Sequence, residues 1–432
     1  MGLLKKMSAV IFIVLFLGGC RMGEEAVVTI GVSLEPDNGN IFDHQTGKWT
    51  VILYMPADND MEKAAMQDLN EMEAADYDFD GNHVLALVDT NRFREGYDGE
   101  WSGTRLYEVR HDKNGINGRI ASLRLGCSEL GLSSRFEREV DMSDPKVLEK
   151  YVSTVASHYP AEHYAFVMCG ECSGYTGNRK SSRALAFDDS NISYMTNMEF
   201  AASLAKGLGK KFDILAMDTC FASELELLSE FDQCAKWFVG VEGLQKKEGF
   251  DYSAFLNSLA DGCDDGRSFG RQLMKSQEEK NLSLVDLSKI NGLCSEFDLC
   301  AKEMAASIMS TTDAEKRRDE ILKSNFCFRT YESSVNPVYA DVRSLAEKFG
   351  LHGMLQSLEE TVECSDSNYG GIGVFFCNTD RNQNVMQEIP EDYVKNKNKS
   401  NCSFVNKWEH YVFTQEKKGS LLDKLFGNYN SF

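Results

Sequence analysis

The sequence predicts an α/β protein built on a mostly parallel sheet with helices on both faces. Two observations carry this prediction: mostly apolar runs of five or six residues recur, and amphipathic segments of helical length lie between them. Strands that are covered on both faces read as continuous apolar runs rather than as alternating ones. The predicted buried strands are Trp49–Tyr54, Val84–Val88, Tyr164–Cys169, Phe212–Met217 and Trp237–Val241.

The helices between these strands are predicted from amphipathic spacing and from residues typical of helix ends. Thr196–Glu199 has the sequence of a capping box. Alternation in Thr104–Arg110 predicts an edge strand. Residues 251–356 are predicted to be mostly helical, and residues 368–377 form a late strand that is placed to rejoin the sheet. The predicted helices before residue 251 are Asp60–Ala75, Asp144–Tyr159, Thr196–Leu208 and Phe221–Phe231.

The first twenty residues have the features of an export signal. A short basic stretch precedes the apolar run Ala9–Leu17, which is too short to cross a bilayer, and LGGC ends this segment at Cys20. This pattern predicts a bacterial lipoprotein whose Cys20 carries the lipid and anchors the exported chain to a cell-envelope membrane. A plain secretory signal is the alternative. The predicted regions are a signal peptide at 1–20, a flexible tether at 21–48, a core domain at 49–260 and a helical C-terminal region with the late strand at 261–432.

The net charge argues against one class of partner. The 432 residues include 67 acidic and 46 basic ones, which gives a formal net charge of -21, and 42% are hydrophobic. The apolar content is that of an ordinary globular protein. Because nucleic acids are bound by basic faces, no nucleic acid partner is expected. The charge is compatible with a soluble body or with a cationic ligand.

One cysteine follows a predicted buried strand at the point where a helix is expected to begin. In open parallel sheets, ligands bind at the carboxyl ends of the strands. The positive end of a helix dipole favours a thiolate, so Cys220, directly after Met217-Asp218-Thr219, is a candidate nucleophile. A free cysteine is equally often a small buried apolar residue, and its position alone does not decide between the two interpretations.

The strand Tyr164–Cys169 runs into a loop of small residues at 170–175. A nucleophilic thiol needs a base within hydrogen-bonding reach, usually a histidine, and none of the seven histidines falls in this loop. Cys169 and Cys172 permit a disulfide with each other or with Cys220, or the binding of a soft metal. The alternative, which we favour, is that both are small buried residues, because no histidine or fourth cysteine is placed to complete a metal site.

Several segments, in the same order along the chain, resemble the clostripain family of cysteine peptidases. WTVILYMPADNDME is similar to that family's opening strand and acidic loop, and FDILAMDTCFASELELLSE is similar to its nucleophile segment. DPKVLEKYVSTVASHYPAEHYAFVMCGECSGY is similar to the helix and strand that lead to the family's catalytic histidine. Shorter similarities are RALAFDD, SLVDLSKINGL, YADVRSLAEKFG and GGIGVFF. The resemblance extends from residue 49 to about residue 377 and implies a caspase-like fold with a largely helical C-terminal extension.

The resemblance implies roles for five positions. Cys220 stands at the nucleophile position, and Asp218 stands where family members receive an Arg or Lys side chain before the scissile bond. Glu242 lies in a further substrate-binding loop, where the family's Ser-Glu-Glu and Pro-Gly turn is replaced. The catalytic histidine position reads Glu171, and the glycine whose amide helps to bind the oxyanion reads Cys172.

Glu171 is a poor substitute for histidine in this chemistry. A neighbouring carboxylate raises the pKa of a thiol, and a base with a pKa of about 4.3 is poorly matched to a thiol of about 8.5. The first hypothesis is therefore a pseudo-peptidase that binds peptide or protein ligands with basic side chains. The alternative is an active cysteine endopeptidase that cleaves after Arg or Lys with Cys220. A third hypothesis, a purely structural envelope lipoprotein, leaves the Asp218–Cys220 pair unexplained.

No cofactor is expected from the residues themselves. Some members of the clostripain family use calcium, and the resemblance implies candidate oxygen ligands for that ion. These are Asp58, Asp60, Asp188 and Asp189.

Overall fold

The computed structural model describes residues 39–77, 81–90, 101–170, 172, 185–188, 191, 193–259, 262–278, 281–309, 327–328, 339–364 and 369–375. The strands in these residues are β1 (Gly47–Ala57), β2 (His83–Thr90), β3 (Gly103–Glu108), β4 (Leu123–Leu125), β5 (Ala161–Cys169), β6 (Leu185–Asp188), β7 (Ser193–Met195), β8 (Phe212–Asp218), β9 (Ala235–Val241), β10 (Leu282–Asp286), β11 (Cys327–Phe328), β12 (Tyr339–Asp341), β13 (Val362–Cys364) and β14 (Gly373–Phe375). The helices are α1 (Glu62–Ala74), α2 (Pro145–His158), α3 (Asn197–Leu208), α4 (Leu225–Phe231), α5 (Tyr252–Leu259), α6 (Gly266–Ser276), α7 (Ile290–Met309), α8 (Val342–Phe349) and α9 (His352–Thr361).

Nine of the strands form one sheet in the order β13-β10-β9-β8-β5-β1-β2-β3-β4. The five central strands, from β9 to β2, run parallel. The strands outside them, β10 and β13 on one side and β3 and β4 on the other, pair antiparallel. The predicted sheet flanked by helices is confirmed.

The central strands are buried on both faces, which explains their continuous apolar runs. In β1, Val51 and Leu53 enter one core, and Ile52 and Tyr54 enter the other. Helices α1, α5 and α6 cover the first core. Helices α2, α3, α4, α7, α8 and α9 pack into the second.

Local sequence signals begin and end the helices as predicted in several places. Asp144 accepts a hydrogen bond from the Lys146 N–H at 2.9 Å at the beginning of α2. The capping box of α3 is confirmed: Thr196 Oγ1 accepts from the Glu199 N–H, and the Glu199 carboxylate accepts from the Thr196 N–H. Gly209 ends this helix with a φ of 69°, a conformation that glycine adopts without strain.

Two strand predictions were wrong. Strand β3 is not an edge strand, because β4 pairs with its outer side. The late strand β14 does not rejoin the nine-stranded sheet. It pairs with β12 in a separate three-stranded sheet whose order is β11-β12-β14.

Two regions outside the predicted core segments also contact the sheet domain. Strands β10 and β13, from beyond residue 260, belong to the nine-stranded sheet. At the other end of the chain, the Ile41 N–H donates to the Gly126 carbonyl and the His44 N–H donates to the His158 carbonyl, each at 2.8 Å. Within the described ranges, no helix is long and apolar enough to cross a membrane.

Candidate functional site

The turn that carries Cys220 lies at the carboxyl end of β8, where the neighbouring β5 also ends. Asp218 is in register with Cys169, the last residue of β5. After Cys220 the chain reverses through Phe221, whose φ of 50° is unusual for a residue with a side chain. The Phe221 N–H donates to the Gly243 carbonyl at 2.6 Å, and this bond attaches the turn to the chain beyond β9.

The predicted helix Phe221–Phe231 begins later than expected. Helix α4 begins at Leu225, because the Ala222 and Ser223 N–H groups both donate to the Val241 carbonyl instead of entering a helix. The field of a helix terminus falls off within about one turn. Cys220 lies five residues before Leu225 along the chain, so the helix dipole is not the main influence on its thiol.

The Cys220 thiol contacts the loop that follows β9. The Gln245 N–H donates to Cys220 Sγ at 3.3 Å, and the Gln245 carbonyl lies 4.0 Å from the same sulfur atom. The Cys220 side chain is half-buried. The main chain at Gln245 therefore lies directly beside the candidate nucleophile.

Asp218 is held by the same loop. Oδ1 accepts a hydrogen bond from Gln245 Nε2 at 2.6 Å, and Oδ2 accepts from the Phe250 N–H at 2.8 Å and from the Tyr252 hydroxyl at 3.1 Å. Burial raises the pKa of the Asp218 carboxyl, and these three donors oppose the increase. A Cβ on Gly249 would lie 2.6 Å from Asp218 Oδ2, so the loop needs glycine there.

Behind Asp218, a buried polar chain extends to the end of β5. The Tyr252 hydroxyl lies 2.6 Å from Cys169 Sγ as well as 3.1 Å from Asp218. Burial, followed by the charges of Asp218 and Asp68, raises the pKa of the Cys169 thiol well above its usual value. Asp68, on α1, has its own pKa raised well above the usual value by burial and then by Asp218. Cys169 is thus a neutral thiol in a polar buried cluster.

The positions of Cys169 and Cys172 decide between most of the alternatives left by the sequence. Cys169 is a free thiol, so it forms no disulfide with Cys172 or with Cys220. It packs in the core on the α1 side, whereas Cys172 is buried in the core on the α2 side. The interpretation of both as small buried residues agrees with these positions. Glu171 lies outside the described residues, and so do Cys20 and Asp189.

Glu242 is completely buried, in contact with the chain around β12 and β14. Its Oε2 accepts a hydrogen bond from the Gly371 N–H at 2.9 Å. Burial and then the neighbouring Asp341 raise the pKa of Glu242 well above its usual value. The Ser223 hydroxyl donates to the Gly371 carbonyl at 2.6 Å. The segment before β14 thus connects the turn that carries Cys220 to the end of β9.

The histidines of the described residues do not lie at the end of β8 that carries Cys220. The amino-end edge of the parallel strands, opposite Cys220, carries five of them, and the sixth begins α9. Their contacts are also with other groups, for example His158 with Asp43 and His163 with Trp49. The five are His44, His83, His111, His158 and His163, and the sixth is His352.

Three carboxylates lie together at the ends of β1 and β2. Asp58, Asp89 and Glu139 each place one oxygen within 4.8 Å of the others. Oxygen donors of this kind suit calcium, although calcium takes six to eight of them. Of the expected ligands, Asp58 belongs to this group, Asp60 is exposed, and Asp188 ends β6.

Three residues with central places in this arrangement were missed by sequence reasoning as parts of the site. Gln245 and Tyr252 bind Asp218, and Glu224 is buried just before α4. No local motif marks Gln245 or Tyr252, because their partner Asp218 lies 27 and 34 residues away in the sequence.

Comparisons with known proteins agree with the resemblance. Residues 53–421 match the model of the clostripain family, peptidase C11. A 195-residue stretch is 30% identical to clostripain of Hathewaya histolytica and covers 43% of this chain. The match spans only 36% of the length of that protein.

Two solved structures share the fold. A secreted C11 cysteine protease from Bacteroides thetaiotaomicron, in complex with an irreversible peptide inhibitor, has a TM-score of 0.56 and 17% identity. An inactive zymogen C11 protease from Parabacteroides distasonis has a TM-score of 0.57 and 14% identity. Each alignment covers 85% of this chain and 99% of the other. The chain belongs to the clostripain family of cysteine peptidases.

Proposed function

We propose that this protein is a lipid-anchored clostripain-type peptidase homologue that binds peptides or protein partners and has lost most or all of its proteolytic activity. The single observation that carries the proposal is the position of the side chains that could act as a base for Cys220. The family's histidine position reads Glu171, and the histidines of the described residues lie at the far edge of the sheet or at the start of α9.

A thiol that lacks an imidazole loses both the group that removes its proton and the group that stabilises its thiolate. Removing one member of such a pair typically lowers the rate by several orders of magnitude. A carboxylate at the same place repels a thiolate. Low or absent turnover is therefore expected even though Cys220 keeps its position at the end of β8.

Peptide binding is supported by what the site retains. Cys220 and Asp218 lie together at the carboxyl end of the parallel strands, the edge at which open sheets bind ligands. The net charge of -21 favours ligands with basic side chains. Attachment to a cell-envelope membrane is proposed through lipid on Cys20.

Cleavage of fluorogenic Arg and Lys peptides by residues 21–432 under reducing conditions tests the proposal. The parent should show no turnover, and Glu171→His should gain activity because it restores a base at the family position. Cys220→Ala in the Glu171→His background should abolish that gain. Turnover by the parent that disappears in Cys220→Ala would show an active endopeptidase instead. If Glu171→His stays inactive, the loss of activity has another cause than this position.

A further inference from the structure

Residues 370–375, which lead into and form β14, are held by buried carboxyl groups from three other parts of the chain. One of these groups ends β12, one directly follows β9, and one belongs to α4. The bonds are Gly370 N–H to Asp341 at 2.6 Å, Gly371 N–H to Glu242 at 2.9 Å and Phe375 N–H to Glu226 at 3.1 Å. The position of this segment therefore depends on side chains that titrate, in addition to its pairing with β12.

These carboxyl groups also act on one another. Asp341 and then Glu224 act on Glu242 through their charge, and Glu226 acts on Glu224 in the same way. All four side chains are completely buried. A Cβ on Gly373 would lie 2.5 Å from a Glu224 oxygen, so Glu224 also lies against the segment. Burial and mutual repulsion both favour the protonated forms of such a cluster.

Two further titratable or charged residues lie beside the segment. The Cys364 thiol of β13 is close to Gly371, whose added Cβ would lie 2.5 Å from the Cys364 sulfur. Arg343 of α8 is half-buried, and its Cβ would lie 2.7 Å from a Cβ on Gly370. The groups around the segment are thus the four carboxyl groups, this thiol and this guanidinium group.

The same segment is bonded to the turn that carries Cys220. The Ser223 hydroxyl donates to the Gly371 carbonyl at 2.6 Å, and the Gly373 N–H donates to the Ser223 carbonyl at 2.9 Å. Ser223 follows Cys220 by three residues. A movement of the segment would therefore reach the turn directly through its backbone.

Phe221 makes this turn sensitive to such a movement. Its φ of 50° is a strained conformation for a residue with a side chain, and such residues keep it only while the surrounding structure imposes it. The Phe221 ring packs on Tyr339 of β12, with the ring centres 5.3 Å apart. Because β12 pairs with β14, the contacts that hold Phe221 come from the same small sheet as the segment.

We propose that residues 370–375 form a support for the Cys220 turn that is released as the pH rises. With the four carboxyl groups protonated, the segment stays bound and the turn keeps its strained shape. When they ionise, the segment separates from the turn, Phe221 relaxes, and the Cys220 thiol becomes more accessible. This control of the site does not depend on whether Cys220 cleaves peptide bonds, so it goes beyond the proposed function.

The direction follows from the sign of the pKa shifts. The pKa values of Glu242 and Glu224 are raised in the folded protein, so both groups favour the bound segment at low pH. That contribution is lost as the pH rises above the usual glutamate value of about 4.3. Each carboxyl group that ionises on separation changes the equilibrium by at most about tenfold per pH unit.

Hydrogen exchange of the purified protein, measured by mass spectrometry at pH 5, 6, 7 and 8, tests the separation. After correction for intrinsic exchange, peptides that contain residues 370–375 should exchange faster as the pH rises, by up to about tenfold per pH unit for each ionising carboxyl group. Peptides from β1 should exchange far more slowly at every pH, because a central strand is protected until the domain unfolds.

Glu242→Gln keeps an oxygen that can accept from the Gly371 N–H and removes one titrating group. Its increase in exchange with pH should therefore be smaller than that of the parent. Glu347→Gln, at an exposed position of α8, is the matched control and should behave like the parent. If Glu242→Gln does not fold, Glu224→Gln replaces it, since the Glu224 oxygens have no hydrogen-bond partner among the described residues.

Alkylation of Cys220 by iodoacetamide, measured by mass spectrometry on the peptide that contains it, tests the connection to the thiol. Comparing the parent with Glu242→Gln at the same pH removes the direct effect of pH on the thiol. The ratio of the parent rate to the variant rate should increase several-fold between pH 5 and pH 8. The charge of ionised Glu242 alone would act in the opposite direction, because a nearby carboxylate raises the pKa of a thiol.

Three results would overturn the inference. Exchange of residues 370–375 that is independent of pH, or that equals the exchange of β1, would exclude a local, proton-linked separation. The same increase in Glu242→Gln as in the parent would show that the carboxyl cluster is not its cause. A parent-to-variant alkylation ratio that stays constant or falls with pH would show that the segment does not control Cys220.

Discussion

Glu224 provides the most direct test of the buried carboxyl groups near the turn that carries Cys220. Its side chain is completely buried, and neither carboxylate oxygen has a hydrogen-bond partner among the described residues. Burial, and then the neighbouring Glu226, raise the pKa of Glu224 well above its usual value. The folded protein therefore keeps this carboxyl protonated at pH values where the unfolded chain has released the proton.

The sign and size of the effect on stability follow from this difference. A raised pKa in the folded state contributes stability at low pH, and that contribution is lost as the pH rises above the unfolded pKa of about 4.3. Each pH unit above this value costs about 1.4 kcal/mol until the folded pKa is reached. Between pH 5 and pH 7 the free energy of unfolding should therefore fall as the pH rises, with a slope that a single carboxyl limits to about 1.4 kcal/mol per pH unit.

Glu224→Gln removes the titration and keeps the shape of the side chain. Urea unfolding at pH 5, 6 and 7 should show that the stability of the variant relative to the parent increases with pH, by at most about 1.4 kcal/mol per pH unit. Glu359→Gln, at an exposed position of α9, is the control and should show no such trend. A difference between Glu224→Gln and the parent that stays constant with pH would refute the reasoning.

Three further substitutions test single contacts. Gly249→Ala places a Cβ 2.6 Å from Asp218 Oδ2 at a φ of 66°, whereas Gly209→Ala, at a φ of 69°, meets no atom within 4 Å. Backbone strain should lower the free energy of unfolding of both variants by about 1 kcal/mol. Urea unfolding should show a clearly larger loss for Gly249→Ala, because only its Cβ also meets the Asp218 carboxylate. Tyr252→Phe removes the hydroxyl between Asp218 and a buried thiol and should cost about 1 to 3 kcal/mol in the same assay. Thr196→Ala deletes the capping oxygen of α3 and should lower the unfolding free energy by about 1 kcal/mol; an unchanged value would show that the cap is dispensable.

The sequence predicted the parallel centre of the sheet well, because those strands are buried on both faces and read as apolar runs. It failed where long-range pairing decides the structure. Whether β3 is an edge strand depends on β4, a strand of only three residues, which is too short to give a periodic signal. Whether β14 joins the large sheet depends on β12, about thirty residues earlier.

The candidate site divides in the same way. The cysteine after β8 was predictable, because a strand end is visible in the sequence. The helix after it was placed too early, because local patterning could not show that Ala222 and Ser223 donate to Val241. Gln245 donates to Asp218 through its side-chain amide and to Cys220 through its backbone N–H. It lies 25 residues beyond the thiol, and no local motif indicates it.

The contacts of Asp218 change what its presence in this chain implies. An aspartate two residues before the nucleophile suggests, by resemblance, a site for a basic side chain. In this fold the same carboxylate also holds Gln245, Phe250 and Tyr252, and thereby fixes the loop against the Cys220 turn. Asp218 is therefore needed for the shape of the site whether or not Cys220 cleaves a peptide bond. Evidence for or against catalysis must come from the base, and the exchange of Glu171 for histidine addresses that base directly.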